Sequence, residues 1–181
     1  FVQNERSVEL LRTIGVQDNV TIVGDTRFDR VIDIRNNACP LPLVEQYTRA
    51  KEDCNAAPFV LVAGSSWQPD EDILLDYVNR HPDLRLVIAP HVVNDAHIQE
   101  IEQKLTTPAL RYSQATLENV DDYRVLIIDG YGLLSSIYRY ATVAYVGGGF
   151  GVGIHNVPEA AVYGIPVIIG PNHQRFAEAM A

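Results

Sequence analysis

With 181 residues, 47% of them hydrophobic, the chain is long enough for one domain with a full apolar core. Fourteen Lys and Arg against 23 Asp and Glu leave a net charge of −9, and the basic residues are scattered, which argues against a nucleic-acid surface. The chain has no run of about 18 apolar residues and no signal peptide, so no membrane span or nucleic acid enters the reading.

The chain opens on Phe1-Val2-Gln3-Asn4 without an initiator Met and closes inside an apparent helix at Met180-Ala181, which reads as a piece of something longer. Val20–Val23 is a candidate strand, and Thr26 to Asp29 fits a capping box opening a helix. Cys39 and Cys54 form no C-x-x-C pair and read as reduced thiols of a cytosolic protein.

Five apolar runs follow, at Phe59–Ala63, Leu84–Ala89, Arg124–Ile128, Thr142–Val146 and Ile165–Ile169. They are continuous rather than alternating, as strands buried on both faces of a parallel sheet must be. Between them lie helical patterns, with Ile73, Leu74, Tyr77 and Val78 on one face, Ile98, Ile101 and Leu105 on a second, and Leu133, Leu134, Ile137 and Tyr138 on a third. The alternation predicts one doubly wound, Rossmann-like, mostly parallel α/β domain over residues 1–181.

Ligands of such sheets bind outside the carboxyl ends of the strands. Those ends carry Gly64-Ser65-Ser66-Trp67, Pro90-His91, Asp129-Gly130-Tyr131-Gly132, Gly147 to Glu159, and Gly170-Pro171-Asn172-His173. The Gly147 to Glu159 stretch is the densest signal, with five glycines in seven positions between a strand and a helix. Glycines let backbone N–H groups approach an anion, and the helix start aims its dipole at the same spot. Glu159 in the first turn can accept hydrogen bonds from a vicinal diol such as a ribose. No window reads G-x-G-x-x-G or G-x-x-x-x-G-K-[ST], so the dinucleotide fingerprint and the P-loop are both excluded. What remains is a nucleotide site with no cofactor and no metal, because no His/Cys/Asp set has ligand spacing.

Single residues have plainer readings too. Ser66 reads as a helix cap or a phosphate donor, Asp70 and Glu71 as complements to a helix dipole, and His91 and His155 as ligand contacts or packing groups. No general base or nucleophile elbow can be assembled.

Taken in order, Val23-Gly24-Asp25-Thr26-Arg27-Phe28-Asp29-Arg30-Val31, Ala63-Gly64-Ser65-Ser66, Ala89-Pro90-His91, Gly147 to Glu159, Tyr163-Gly164-Ile165-Pro166-Val167 and Gly170-Pro171-Asn172 resemble the bacterial Kdo transferases. These enzymes move 3-deoxy-manno-octulosonic acid (Kdo) from its CMP-activated form onto a lipid A precursor. The resemblance covers essentially the whole chain. It implies the C-terminal, donor-nucleotide half of a two-domain GT-B glycosyltransferase, with the N-terminal domain absent.

The resemblance further implies that Gly64 and Ser65 approach the CMP phosphate, and that Pro90, Gly130 and Tyr131 frame the cytosine; Ser66 and His91 are further substrate-binding candidates. Gly148, Gly149, Gly151 and Asn156 would hold phosphate or Kdo, and Glu159 the ribose. Pro90-His91 stands where many members have Pro-Arg-His, and Asp129-Gly130 where Asp-Thr is common. The general base would lie in the N-terminal domain, which would also supply basic residues for Kdo and the contact with the cytoplasmic face of the bacterial inner membrane. The fragment alone would be soluble and inactive. The competing readings are another GT-B enzyme using a UDP-sugar, disfavoured by Gly24 to Arg30, and a non-catalytic nucleotide-binding module.

Overall fold

The computed structural model describes residues 1–49, 58–151, 153–176 and 179. Cys54, expected to be a reduced thiol, and Val152 lie outside them. Six strands form one sheet: β1 (Phe59–Ser66), β2 (Leu84–Pro90), β3 (Ala109–Arg111), β4 (Val125–Ile127), β5 (Val143–Val146) and β6 (Val167–Ile169). Their order is β3-β4-β2-β1-β5-β6 and every pairing is parallel. The architecture is the Rossmann-like α/β sheet that the alternation of runs implies.

The helices are α1 (Glu5–Thr13), α2 (Arg27–Asn37), α3 (Pro42–Thr48), α4 (Gln68–Arg80), α5 (Asp95–Lys104), α6 (Leu134–Ile137) and α7 (Pro158–Ala161). The chain first steps from β1 to β2, and later from β5 to β6 on the opposite side of β1. Right-handed crossovers therefore place helices on opposite faces. On one face Leu74, Leu75 and Val78 of α4 and Ile98 and Ile101 of α5 pack against Leu61, Leu86, Ile88 and Tyr145. On the other, Val44 and Tyr47 of α3, Ile137 of α6 and Ala160 of α7 pack against Val60, Val62, Val87, Leu126 and Val146. With both faces buried, continuous apolar strands are required, which is why the runs are readable.

Three expectations need correction. Val20–Val23 is not a strand of the sheet; Ile22 makes one isolated parallel bridge to Val2. The sixth strand is β3, whose three residues end on Arg111 and follow Thr106-Thr107-Pro108, so no apolar run marks it, whereas the equally short β4 and β6 lie inside longer runs. Thr26 does not cap α2, since its side chain makes no cap bond; Asp25 accepts the Arg27 N–H at 3.0 Å instead. The Arg27 side chain also donates to Asp25 at 2.9 Å, and these bonds hold the Asp25 carboxyl down to about 2. Finally, Ile73 and Tyr77 do not share the buried face of α4: they are 52% and 44% exposed, while Leu75 and the acidic pair Asp70 and Glu71 are 1% exposed.

Two glycines are fixed by backbone contact between loops. A Cβ on Gly149 would lie 2.5 Å from the Gly170 Cα, and one on Gly147 would collide with the Ser65 carbonyl. The loops after β1, β5 and β6 are therefore interlocked at their backbones. Gly149→Ala is expected to lower stability by about 1–3 kcal/mol, the usual cost of overpacking. Urea denaturation checks this, and an unchanged midpoint would contradict the interlock.

Candidate functional site

Winding direction reverses between β1 and β5, so their carboxyl ends form the topological switch point where open α/β sheets bind ligands. Here β1 ends irregularly. Ser65 adopts a left-handed φ of 53°, and the register to β2 shifts between Gly64 and Ser66. Across the switch, the Gly147 N–H donates to the Gly64 carbonyl at 2.9 Å.

Asp70, in the first turn of α4, is the hub. One oxygen accepts the Tyr145 hydroxyl at 2.5 Å; the other accepts the backbone N–H groups of Trp67 and Gly148, both at 2.9 Å. The carboxylate thus joins the end of β1, strand β5 and the glycine loop. Burial, then the bond to Asp70, drives the Tyr145 hydroxyl above the usual tyrosine range. Beside it Glu71 accepts the Ser66 hydroxyl and faces His97 Nε2, each at 3.0 Å. Asp70 and Glu71 therefore do more than complement a helix dipole, and it is Asp70, not Ser66, that closes the N-terminus of α4.

Trp67, His91 and His155 form a second cluster. The Trp67 indole N–H donates to His155 Nε2 at 2.9 Å, and the two rings are within 10° of coplanar. His91 stacks over both, with centroids 4.4 Å from Trp67 and 4.6 Å from His155. Accepting the indole N–H requires an unprotonated Nε2 on His155. Burial first, then the adjacent His91, keeps the His155 imidazole below its ordinary value, against the pull of Asp70.

The expected site residues fall into separate places. Gly64 is buried beneath Tyr138 and Leu134, where a side chain would collide with both. Ser66 is buried with its hydroxyl on Glu71, and Pro90 is the buried last residue of β2. Gly148 donates its N–H to Asp70 and has a φ of +92°. Gly149 faces Gly170, while Gly151 is exposed. Gly130 and Tyr131 are exposed, and the preceding Asp129 accepts the Ser113 N–H at 2.9 Å.

Glu159 lines a cavity of about 700 Å³ between α2, the start of α6 and α7, with Arg30, Cys39, Gly132, Ser135 and Ser136 among its walls. That volume is within the range of small-molecule sites. The Asn156 amide donates to Glu159 at 2.7 Å, and the buried Asn156 Oδ1 has no hydrogen-bond partner. Of the expected site residues, the structure brings together Glu159 and Asn156, with Gly132, next to Gly130 and Tyr131, in the same cavity wall as Glu159. Gly64, Ser65, Ser66, Pro90, His91 and the glycine-loop residues do not line this cavity. Sequence reasoning missed Asp70, Tyr145 and Trp67 as site-building residues, and Ser135 and Ser136 as cavity walls. Two seryl groups at the start of a helix after the Asp129–Gly132 loop were the available signal. Among the described residues no group of three or more His, Cys, Asp or Glu is placed to hold a metal, and no helix is long and apolar enough to cross a membrane.

The strand order and the crossovers on both faces define a Rossmann-like α/β domain. The chain is a homologue of the Kdo transferases. It is 25% identical over 181 residues to the 3-deoxy-D-manno-octulosonic acid transferase of Rickettsia prowazekii, covering 95% of the chain and 36% of that protein. To the enzyme of the same name from Chlamydophila psittaci it is 30% identical over 182 residues, covering 96% of the chain and 40% of that protein. The chain thus spans between a third and a half of the length of these relatives. Among solved structures, the C-terminal CMP-Kdo binding domain of WaaA from Acinetobacter baumannii shares the fold. Its TM-score is 0.59 at 21% identity, over 84% of the chain and 75% of that domain. No family model matches the chain.

Two outcomes follow from this geometry. Tyr145→Phe removes a hydrogen bond to a buried carboxylate and is expected to cost about 1.5–3 kcal/mol in chemical denaturation. A loss under about 0.5 kcal/mol would mean the hub is not intact. The second concerns pH. His155 binds a proton less readily in the fold than in the unfolded chain, where it titrates near its ordinary value of about 6.5. Stability should therefore fall as pH drops below about 6.5, until the folded group also protonates. In thermal melts between about pH 7.5 and 5.5, His155→Gln should show a shallower decline than the parent. Identical slopes would contradict this assignment.

Proposed function

We propose that this chain is the donor-nucleotide part of a Kdo transferase and binds CMP-Kdo, with the CMP moiety in the Glu159 cavity. The observation that carries the reading is the position of Glu159. It sits in the first turn of α7, lines a cavity of nucleotide size and is oriented by Asn156. A carboxylate so held accepts two hydroxyls of a ribose. Ser135 and Ser136 offer hydroxyl groups from the start of α6, and Gly132, which follows Gly130 and Tyr131 in the loop after β4, lines the same cavity. The names of the curated relatives support the sugar as Kdo.

In such a transfer an acceptor hydroxyl attacks the anomeric carbon as CMP departs, and a carboxylate base must lie within hydrogen-bond reach of the acceptor. The donor part's share is to place the nucleotide and stabilise charge on the departing phosphate through amide donors. In this reading residues 1–181 form one domain, and the base comes from a separate N-terminal domain. A lipid A precursor is the acceptor, and the whole enzyme works at the cytoplasmic face of the inner membrane.

Calorimetry on the chain tests the nucleotide reading. CMP should bind, and Glu159→Gln should weaken it by about 1.5–3 kcal/mol, as for a hydrogen bond to a charged group. Deoxy-CMP should lose a similar amount, and UMP should bind more weakly than CMP. Equal binding of CMP and deoxy-CMP would remove Glu159 from the ribose, and preference for UMP would favour a UDP-sugar enzyme. Incubated with CMP-Kdo and a lipid A precursor, the chain alone should transfer no sugar; glycosylated product would refute the division of labour.

A further inference from the structure

Most basic side chains of the described residues are already engaged. Arg27 pairs with Asp25, Arg80 with Asp76, Lys104 with Asp72, and Arg111 with Asp95 and Glu102. Arg85 faces Asp121, while Arg35, Arg124 and Arg139 donate to backbone carbonyls. Arg30 shares its cavity with Glu159. Arg175, like Arg6 and Arg12 of α1, pairs with no carboxylate among the described residues, and it alone of the three lines a concavity with the glycine loop, of about 310 Å³, formed with Gly151, Gly153 and Asn172.

The segment bearing Arg175 is fastened to the glycine loop. The Asn172 N–H donates to the Gly149 carbonyl at 2.9 Å, and the Asn172 amide to the Gly151 carbonyl at 3.1 Å. The Phe176 ring leaves no room for a Cβ on Gly153, the nearest ring atom being 2.7 Å from where it would lie. The Arg175 backbone is thus fixed beside the loop on both flanks, while its side chain is exposed.

A chain of net charge −9 repels anions at long range, so an anionic ligand must be held by local donors, among which a cation is the strongest. A guanidinium matches a carboxylate with two parallel N–H donors. The concavity is separate from the Glu159 cavity, so its anion is not the part of the ligand that Glu159 holds. A CMP-linked sugar acid carries a carboxylate on the sugar as well as the phosphate.

We propose that Arg175 binds the carboxylate of the donor's sugar acid beside the glycine loop, and so distinguishes the donor from free CMP. The proposal rests on the reading of the chain as a CMP-sugar-acid binder. It also means that the chain itself supplies one of the cations that the resemblance assigns to a missing domain.

Titration of the 181-residue chain with CMP-Kdo and, separately, with CMP tests this. Arg175→Gln should weaken CMP-Kdo binding about tenfold or more while leaving CMP binding unchanged, and Arg175→Lys should recover part of the loss. If Arg175→Gln weakens neither ligand, or both equally, the assignment of Arg175 is overturned while the nucleotide reading stands. If the parent chain binds no CMP, the nucleotide reading falls and the assignment falls with it. Circular dichroism of the variants separates either loss from misfolding.

Discussion

The site depends on one buried carboxylate with three donors. Asp70 is 1% exposed, and taking its charge out of water is costly unless every lone pair in use keeps its partner. Tyr145 comes from β5, Trp67 from the exit of β1 and Gly148 from the glycine loop. Breaking any one leaves both a buried anion less satisfied and a buried donor unpaired, so the three elements are held together as a unit. That unit sits where the sheet changes winding direction, the place where strands diverge and a crevice opens.

This arrangement changes what the glycine loop is for. The Gly148 N–H already has an anion, and it belongs to the protein. Gly147 and Gly149 are glycines because the backbones of Ser65 and Gly170 occupy the space a side chain would need. The Trp67, His91 and His155 rings close over the same region from outside. The loop is therefore a keystone between strand ends. The concavity with Arg175 borders it through Gly151 and Gly153, while the Glu159 cavity is lined by α2, the start of α6 and Glu159 and by none of the loop glycines.

The legible parts of the sequence were those governed by burial on both faces. Strands β1, β2, β4 and β5 stand out because each lies in a continuous apolar run; β6, at the sheet edge with Ile168 exposed, is legible only through the apolar run Ile165–Ile169. Strand β3 is not legible, since Ala109–Arg111 is bounded by Thr107-Pro108 and Tyr112-Ser113 and belongs to no apolar run. Ile73 and Tyr77 misled because the inner face of α4 runs through Asp70, Glu71, Leu74, Leu75 and Val78, so that its first turn is buried where a hydrophobic pattern shows only polarity. The resemblance named Glu159 and Asn156, and the structure brings them together. It also named Gly64 and Ser66, which the fold uses internally. Nothing in residue spacing reveals that α2, over a hundred residues before Glu159, forms the opposite wall of its cavity. Such a wall is set by tertiary packing of α2 against α6 and α7, not by local pattern.

The account therefore rests on where the nucleotide goes. A crystal structure of the chain with CMP tests it most directly, because three concavities at the sheet edge compete: those of Glu159, of Arg175, and of Ser66, Trp67 and His97. The account predicts the ribose hydroxyls against Glu159, between α2 and the start of α6. CMP lodged beside Trp67 and His97, with the Glu159 cavity empty, would contradict it.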